Sequence, residues 1–382
     1  MANTFKFGNE NWAVKDGKVL AYNDENNAFK PLPFTFARSS SATRVDNEGI
    51  IKTTDSGFAR IDFLNNTSGH LLLEPSSTNL VTYSEDFSQW SNDGNQTSAS
   101  IITDTNPDGT SSVYQIDLNT GGNLYQTITV SSSTNYTLSI YIKGSGSGKL
   151  VLSNAQSSPE NSLDFTATNE WQRIKLTGSS AHTSIRVAIG SWSNSSANGT
   201  IQIYGAQLEQ QSFATSYIPT TGSTVTRAAE TCDSAGNSTI FNDSEGVLYA
   251  EISALTQNSG DSRRFTISDG SIDNRVSFEL DETEGLIKLF LSGSGTTNTL
   301  TTTTDVSINF KIAASYNSTS LKLFLNGSKI GEDTSVVLPT GLNVFSFNNP
   351  YGGGTSSFYG KVKNIQVYNT ALTDAELIEL TS

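Results

Sequence analysis

The histidines and carboxylates of this sequence are not spaced as a catalytic centre requires. His70 and His182 are the only histidines, and they lie far apart in the chain. A nucleophilic triad needs a histidine beside a serine, but the Ser-Ala-His-Thr-Ser stretch around His182 predicts an exposed loop. The densest acidic stretch, Asp-Glu-Thr-Glu at 281–284, precedes Gly285 and is typical of a solvated turn. These patterns indicate that the protein is not an enzyme.

Aromatic residues in polar loops offer a different chemistry, the binding of sugars. A pyranose packs its apolar face on an exposed ring, while Asn, Asp and backbone groups bind its hydroxyls. Trp192 lies in Gly-Ser-Trp-Ser-Asn-Ser-Ser, a loop without apolar neighbours. Tyr351 follows Asn348 and Asn349 in Asn-Asn-Pro-Tyr-Gly-Gly-Gly. Because loops often carry function, we expect these four residues to be exposed and to contact a carbohydrate.

The overall charge excludes some classes of partner. The formal net charge is −14, and no cluster of Lys and Arg provides the basic patch that nucleic acids require. No apolar run approaches the length of a membrane span or a secretory signal. Cys232 is the only cysteine, so an intramolecular disulfide and a zinc site of the usual Cys/His type are excluded. We expect a protein that binds no nucleic acid, enters no membrane and first folds in a cytosol.

Short runs of alternating apolar residues supply the elements that must position these side chains. Alternation of this kind is typical of half-buried strands, and regularly spaced short strands indicate β-sandwiches. In the first half of the chain we predict strands at 112–118, 123–130, 135–142, 149–153, 171–177, 184–190 and 200–208. In the second half we predict strands at 247–253, 263–268, 274–280, 286–291, 306–315, 320–325, 342–347 and 358–368.

Turn and cap signals complete the predicted architecture. Asn326-Gly327 and Asp16-Gly17 each interrupt apolar runs and predict hairpins. Thr373 and Glu376 form a capping-box pattern, which predicts a short terminal helix docked on a sandwich. The predicted fold is all-β, with two jelly-roll β-sandwich domains in tandem behind a short irregular N-terminal adaptor. The predicted bounds are 1–78 for the adaptor, 79–210 for the first sandwich, 211–238 for a linker and 239–382 for the second sandwich.

Three stretches carry a resemblance to known families. Residues 36–80, which begin Phe-Ala-Arg-Ser-Ser-Ser-Ala-Thr-Arg and end Leu-Leu-Leu-Glu-Pro-Ser-Ser-Thr-Asn-Leu, resemble a segment of tailed-bacteriophage virion proteins. Residues 204–230, from Tyr-Gly-Ala-Gln-Leu-Glu to Ser-Thr-Val-Thr-Arg and beyond, are similar to the exit from a carbohydrate-binding-module-like jelly roll in those proteins. Ile-Ala-Ala-Ser-Tyr at 312–316, the hairpin at 321–327 and the pattern from Phe358 onward resemble a concanavalin A-like, laminin-G-type domain.

The resemblance implies a virion protein of the tail-fibre or head-fibre kind, assembled in the host cytoplasm. Its modules would attach to a host-surface glycan, and its N-terminal segment would contact other virion proteins. A homo-oligomer is expected, with a trimer as the usual fibre case. The alternative is a structural virion protein, associated with capsid, tail or portal, whose sandwiches contact other proteins. A polysaccharide depolymerase is disfavoured, because the Glu-x-Asp-x-x-Glu string of jelly-roll glucanases is missing.

The resemblance also leaves room for calcium, although we expect no required cofactor. Modules of this kind often hold a structural Ca²⁺ between strand ends, through oxygen ligands. In the first sandwich the matching region contains Asn79, Glu85 and Gln207. In the second, the oxygen-rich region contains Asp261, Asp269 and Asp273. No EF-hand spacing is present, so the prediction rests on these regions alone.

Overall fold

A computed structural model of the chain describes residues 5–8, 12–15, 18–19, 22–23, 28–29, 34–94, 99–154, 160–192, 197–255, 262–281, 285–349 and 356–382. Contacts divide the chain into two compact units. Unit 1 comprises residues 1–39, 54–75 and 229–382. Unit 2 comprises residues 40–53 and 76–228. Along the chain, the larger part of unit 2 is therefore inserted between two segments of unit 1.

The described strands are antiparallel wherever they pair in a sheet, and they are numbered in chain order. The first eleven are β1 Phe5–Gly8, β2 Val14–Lys15, β3 Lys18–Val19, β4 Tyr22–Asn23, β5 Ala28–Phe29, β6 Thr35–Ala37, β7 Ala42–Val45, β8 Ile51–Thr54, β9 Arg60–Asp62, β10 His70–Leu73 and β11 Ser77–Asn79. The next ten are β12 Ser91–Gly94, β13 Ser100–Thr103, β14 Ser112–Asp117, β15 Gly122–Thr129, β16 Asn135–Gly144, β17 Ser147–Ser153, β18 Asn161–Thr166, β19 Gln172–Ser179, β20 Ser184–Gly190 and β21 Thr200–Glu209. The last twelve are β22 Val225–Arg227, β23 Thr231–Asp233, β24 Gly246–Ala254, β25 Arg263–Ser268, β26 Arg275–Leu280, β27 Leu286–Gly293, β28 Thr296–Thr303, β29 Phe310–Tyr316, β30 Leu321–Leu325, β31 Ser328–Asp333, β32 Val344–Ser346 and β33 Gly360–Tyr368. Among the described residues, the helices are two 3-10 turns, Phe87–Gln89 and Leu118–Thr120, and one α-helix, α1 Asp374–Thr381.

Unit 2 is built on two five-stranded sheets. Their strand orders are β12-β15-β20-β17-β18 and β13-β14-β21-β16-β19. Alternate residues of these strands, such as Leu124, Leu138, Val187 and Ile203, are buried in one apolar core. Alternation with period two buries one row of side chains per strand, so the two sheets cover each other's apolar faces. Unit 2 is therefore a β-sandwich.

Unit 1 contains a five-stranded sheet, β28-β27-β26-β25-β32, and a ten-stranded sheet with the path β31-β30-β29-β24-β33-β1-β4-β5. Strand β33 organises the larger sheet. It pairs along one side with β24, and on its other side with β10 through residues 360–362 and with β1 through residues 364–367. The core of unit 1 contains residues of both sheets, including Phe5, Phe265 and Ile365. The N-terminal strand is thus an integral part of this sheet.

The residues expected to form an N-terminal adaptor, 1–78, contribute to both units. Residues 1–39 and 54–75 group with unit 1, and residues 40–53 and 76–78 group with unit 2. The expected linker, 211–238, divides in the same way after residue 228. Apolar side chains explain the grouping with unit 1, because Phe5, Phe7 and Leu71 are fully buried in its core. A role of the N-terminal segment in attachment stays a prediction.

The turn and helix predictions are confirmed. Strand β30 turns into β31 through Asn326 and Gly327, both with positive φ, as a two-residue hairpin requires. Strands β2 and β3 pair as expected of a hairpin, whereas the predicted turn residues Asp16 and Gly17 lie outside the described residues. Thr373 and Glu376 form the capping box of α1, and Leu377 is fully buried against the outer face of the ten-stranded sheet. The all-β fold class with one C-terminal α-helix is therefore confirmed.

Two findings concern predictions made from composition. Cys232 is a free, fully buried thiol, and burial raises its pKa well above the ordinary value. Among the residues that the structure describes, no helix has the length and apolar character needed to span a membrane.

Candidate functional site

A cleft of about 480 Å³ opens on unit 2. Four segments line it: residues 83–86, residues 106–114, Ile203 with Tyr204 on β21, and Thr220 with Thr221. Its lining combines tyrosine rings, carboxylates, an amide and hydroxyl groups. Ligand sites typically combine apolar walls with a few polar groups that fix orientation. This cleft is the candidate functional site.

The first segment is held in place by the buried aromatic pair Phe87 and Trp90. Their ring centroids lie 5.1 Å apart, and Phe87 also meets the ring of Tyr114 edge-on at 5.6 Å. The indole Nε1 of Trp90 donates a 2.8 Å hydrogen bond to the backbone carbonyl of Tyr83. Asp86 caps the 3-10 turn by accepting from the backbone N of Ser88 at 3.1 Å. Packing and capping together position Tyr83 and Asp86 at the cleft.

The second segment is a tight turn between β13 and β14. Its sequence, Asn-Pro-Asp-Gly, is a turn signature with glycine at the position of positive φ, here 85° at Gly109. The backbone N of Asn106 donates to the carbonyl of Thr110 at 2.8 Å. Asp108 Oδ1 accepts from the backbone N and from the hydroxyl of Thr110, at 2.9 and 2.7 Å. These bonds place Asn106 and Asp108 side by side on the lining.

The side-chain oxygen of Asn106 is a buried acceptor without a donor. The residue is only 7 % exposed. Its Nδ2 donates to Thr110 Oγ1 and to the carbonyl of Ser112, each at 2.9 Å, and this assigns the amide orientation. Oδ1 has no hydrogen-bond partner among the described residues. A buried carbonyl oxygen left in this state costs about 1–3 kcal/mol, so this atom is suited to accept a hydrogen bond from a ligand.

Tyrosine hydroxyls donate to two of the carboxylates. Tyr114 donates to Asp86 Oδ1 at 2.7 Å, and Tyr204 and Tyr217 donate to Glu85 Oε1 at 3.2 and 2.8 Å. Hydrogen bonds from Ser88 and then Tyr114 lower the pKa of Asp86. Burial, reinforced by the charge of Glu85, raises the pKa of both Tyr204 and Tyr217 well above the ordinary value. The phenols therefore stay protonated and hold the carboxylates in fixed positions.

The cleft is negatively charged. Three carboxylates, those of Glu85, Asp86 and Asp108, line it, whereas no Lys, Arg or His appears among its described lining residues. Such a site repels anions and accepts hydrogen bonds from hydroxyl groups. The rings of Tyr83 and Tyr114 are half-buried at the same cleft, and the Tyr83 hydroxyl makes no hydrogen bond to a described residue. A polyhydroxylated, uncharged ligand with an apolar face matches this surface.

The residues predicted to contact sugar lie elsewhere. Trp192 is only 6 % exposed and packs against Val151 and Ala188, so the prediction of an open aromatic ring is wrong for this residue. The polar residues next to Trp192 in the sequence gave no indication of these partners, which belong to β17 and β20. Tyr351 lies outside the described residues. Asn348 is half-buried and Asn349 is buried.

The predicted calcium ligands are not brought together as a set. Asn79 and Gln207 are fully buried, and their amides are engaged in backbone hydrogen bonds. Asn79 Nδ2 donates to the carbonyls of Ala206 and Ile218, and its Oδ1 accepts from Val81 and Leu208. Gln207 Oε1 accepts from the backbone N of Ile218 at 2.6 Å. These two amides brace the unit, and this corrects their assignment as ion ligands.

The remaining predicted ligands are dispersed. Glu85 lies in the cleft, where it accepts from two tyrosines. Asp269 accepts from Ser271 and Asn274 within its own turn, and Asp273 is exposed. Asp261 is outside the described residues. Across the described part of the chain, no group of three or more His, Cys, Asp or Glu residues could hold a metal ion. Calcium binding stays a prediction.

The cleft residues that sequence reasoning missed are Tyr83, Asn106, Asp108 and Tyr114. Tyrosines within strand-like runs resemble core residues, so the two rings gave no distinct signal. The Asn-Pro-Asp-Gly turn at 106–109 did carry one, since polar turns between strands are common places for binding residues.

Comparison with known proteins identifies the C-terminal fold. Residues 251–378 match the model of the concanavalin A-like lectin/glucanases superfamily. This stretch contains most of unit 1's sheets, and it confirms the predicted concanavalin A-like, laminin-G-like domain. No curated protein sequence matches the chain.

Solved structures resemble the chain over about two-fifths of its length. The CBM40 module of the Ruminococcus gnavus IT-sialidase, bound to alpha2,3 sialyllactose, is 20 % identical over 39 % of this chain and 94 % of that one, with a TM-score of 0.33. Domain 4 of AbnA, an extracellular arabinanase of Geobacillus stearothermophilus in complex with arabinotriose, is 12 % identical over 40 % of this chain and 73 % of that one, also with a TM-score of 0.33.

Proposed function

We propose that this chain is a non-catalytic glycan-binding protein whose unit 2 cleft binds a neutral saccharide. The observation that carries the proposal is the buried, unpartnered Oδ1 of Asn106 beside the half-buried rings of Tyr83 and Tyr114. The lectin-type family match of residues 251–378 supports the same class of function. A fold of this type also hosts glucanases, so the assignment rests on the cleft.

The cleft supplies each contact that a neutral sugar needs. Tyrosine rings pack on the apolar face of a pyranose. Asn106 Oδ1 and the carboxylates of Glu85 and Asp108 accept hydrogen bonds from its hydroxyls. The same carboxylates disfavour sugars that carry carboxylate or sulfate groups.

Screening the purified chain on an array of neutral and acidic glycans tests this proposal. We expect binding to neutral glycans, and we expect Tyr83→Ala to weaken it about tenfold through loss of ring contact. Ile101→Ala is the matched control, because Ile101 is 61 % exposed on β13 and does not line the cleft. Selective binding of acidic glycans by this cleft, or equal effects of the two substitutions, would contradict the proposal. Release of new reducing ends from a bound glycan would overturn its non-catalytic part.

We propose further that the chain is carried on a phage particle, as a tail-fibre or head-fibre component that attaches to a host-surface glycan. Support comes from residues 36–80 and 204–230, whose sequence resembles segments of tailed-phage virion proteins. Electron microscopy of particles labelled with an antibody against the chain tests this role. Label at fibre tips, together with glycan binding, is expected. Label buried among capsid or tail subunits, with no glycan binding, would favour a structural virion protein instead.

A further inference from the structure

A second cavity, of about 730 Å³, opens on unit 1 and has the opposite electrostatic character. It is lined by the loop 64–68, by His70, by Ser253, by the loop 307–309, and by Lys361 with Lys363 on β33. Among its described lining residues there is no Asp or Glu. The protein as a whole carries a net charge of −14, so a cavity lined by cations and not by acids is a local exception.

Lys361 supplies the available charge of this cavity. It is half-buried and lies between Ser253 of β24 and Leu72 of β10 in the sheet register. Its Nζ donates a long, 3.4 Å hydrogen bond to the carbonyl of Leu64, and it forms no ion pair with a described carboxylate. Lys363, by contrast, is neutralised by Glu251 at 2.7 Å. A half-buried ammonium group without a counter-ion favours an anion beside it.

His70 contributes little positive charge at neutral pH. It is a buried residue of the cavity lining, with Nε2 3.2 Å from Asp62 Oδ2. Burial lowers the pKa of His70 despite this partner, and the nearby charge of Lys361 lowers it further. The neutral imidazole therefore leaves the ammonium of Lys361 as the group that an anion would meet.

The rest of the lining is suited to a sugar. Amide and hydroxyl groups of the loops 64–68 and 307–309 provide donors and acceptors around the cavity. Two apolar side chains, Leu64 and Ile308, are 41 % and 60 % exposed at the same place. They offer a surface for the apolar face of a ring.

We propose that this cavity is a second binding site, specific for a carboxylate-bearing saccharide whose carboxylate pairs with Lys361. The site is independent of the unit 2 cleft, which selects neutral sugars. Two sites of opposite charge preference on one chain would allow it to recognise a heteropolysaccharide that contains both acidic and neutral residues.

Calorimetric titration with trigalacturonate, and with its fully methyl-esterified form as the neutral counterpart, tests this site. We expect the wild-type chain to bind the acid and not the ester. Lys361→Gln should weaken binding of the acid at least about tenfold, because a charge-assisted hydrogen bond is lost. Lys361→Arg should retain most of the binding. Lys52→Gln, which removes the same charge from an exposed position of β8, should have no effect.

The outcomes separate this site from the unit 2 cleft. Lys361→Gln should leave binding of neutral glycans unchanged, whereas Tyr83→Ala should leave binding of trigalacturonate unchanged. Equal binding of the acid and its ester, or undiminished binding of the acid by a folded Lys361→Gln variant, would overturn the proposal. Circular dichroism of each variant establishes that it is folded.

Discussion

Arg60 and Glu230 form a two-point ion pair in the interior of unit 1, although 170 residues separate them in sequence. Arg60 Nε donates to Glu230 Oε1 at 2.8 Å and Nη2 donates to Oε2 at 2.5 Å. Arg38 Nη1 also donates to Glu230 Oε1, at 2.7 Å, and Arg60 Nη2 also reaches Glu74 Oε2, at 2.9 Å. All four side chains are almost fully buried. Two positive and two negative charges therefore balance inside the protein.

Removing the charge of Glu230 should destabilise the fold strongly. Glu230→Gln leaves two buried guanidinium groups with one carboxylate, and breaking a buried pair typically costs about 3–5 kcal/mol. Glu332→Gln is the control, because Glu332 pairs with Lys329 on the surface and should matter little. Urea unfolding followed by circular dichroism measures both. A loss no larger than that of the control would show that the cluster does not hold unit 1 together.

Asp233 should make the stability of the protein depend on pH. Burial raises its pKa from 3.8 to about 6, so between these values the folded protein keeps a proton that the unfolded chain has released. The stabilisation is complete below pH 3.8 and is lost as the pH rises through about 6. Asp233→Asn should therefore stabilise the protein by about 3 kcal/mol at pH 7 and by almost nothing near pH 3.5. Thermal unfolding of the wild-type protein and the variant at the two pH values measures this difference. An equal effect of the substitution at both pH values would refute the raised pKa of Asp233.

Asn106 should be required for binding of a neutral saccharide to unit 2. Asn106→Ala removes the unpartnered acceptor and should weaken binding about tenfold. Asn119→Ala is a matched change in the same unit, since Asn119 Oδ1 accepts from Gly199 N at 2.9 Å and the residue does not line the cleft. Calorimetry with a glycan identified on the array measures both. Equal losses of affinity in the two variants would indicate general destabilisation of unit 2, and not the loss of a contact between Asn106 and the glycan.

The terminal helix should depend strongly on Leu377 for its docking. Leu377 is fully buried against the ten-stranded sheet, whereas Ile378 is 41 % exposed. Leu377→Ala should cost about 2–5 kcal/mol, as is usual for a buried leucine. Ile378→Ala should cost much less, because the Ile378 side chain faces solvent. Thermal unfolding of the two variants compares them directly, and similar losses would contradict the observed orientation of α1.

The strands that could be predicted are those that bury one face. The predicted segments at 184–190 and 263–268 coincide with β20 and β25. Strand β28 was not predicted, and β31 was indicated only by the Asn326-Gly327 turn before it, since Thr-Thr-Asn-Thr-Leu-Thr-Thr-Thr and Ser-Lys-Ile-Gly-Glu-Asp carry no regular apolar row. Both lie at an edge of their sheet, where few side chains are buried. Without burial, no alternation marks a strand.

The candidate site was less predictable than the fold, because it depends on contacts between distant segments. Trp192 appeared exposed from its polar neighbours, yet Val151 and Ala188 cover it. Trp90 is buried, as an aromatic residue usually is, but its role in fixing the carbonyl of Tyr83 requires the structure. Local patterns describe which residues seek burial. These patterns do not indicate which residues of other strands a buried residue will contact.

The pairing of β1 with β33 has a consequence for biosynthesis. Phe5 pairs with Val367, so the ribosome must add 362 residues before β1 can pair with β33, although β4, its other neighbour, is made early. At about 5–20 residues per second this delay lasts tens of seconds. Phe5 and Phe7, fully buried in the finished protein, lack their partners from β24 and β33 for most of that interval and are then accessible to chaperones and to other nascent chains. The inserted sandwich can meanwhile complete itself, so unit 2 should emerge first and unit 1 should close only after β33 has been made.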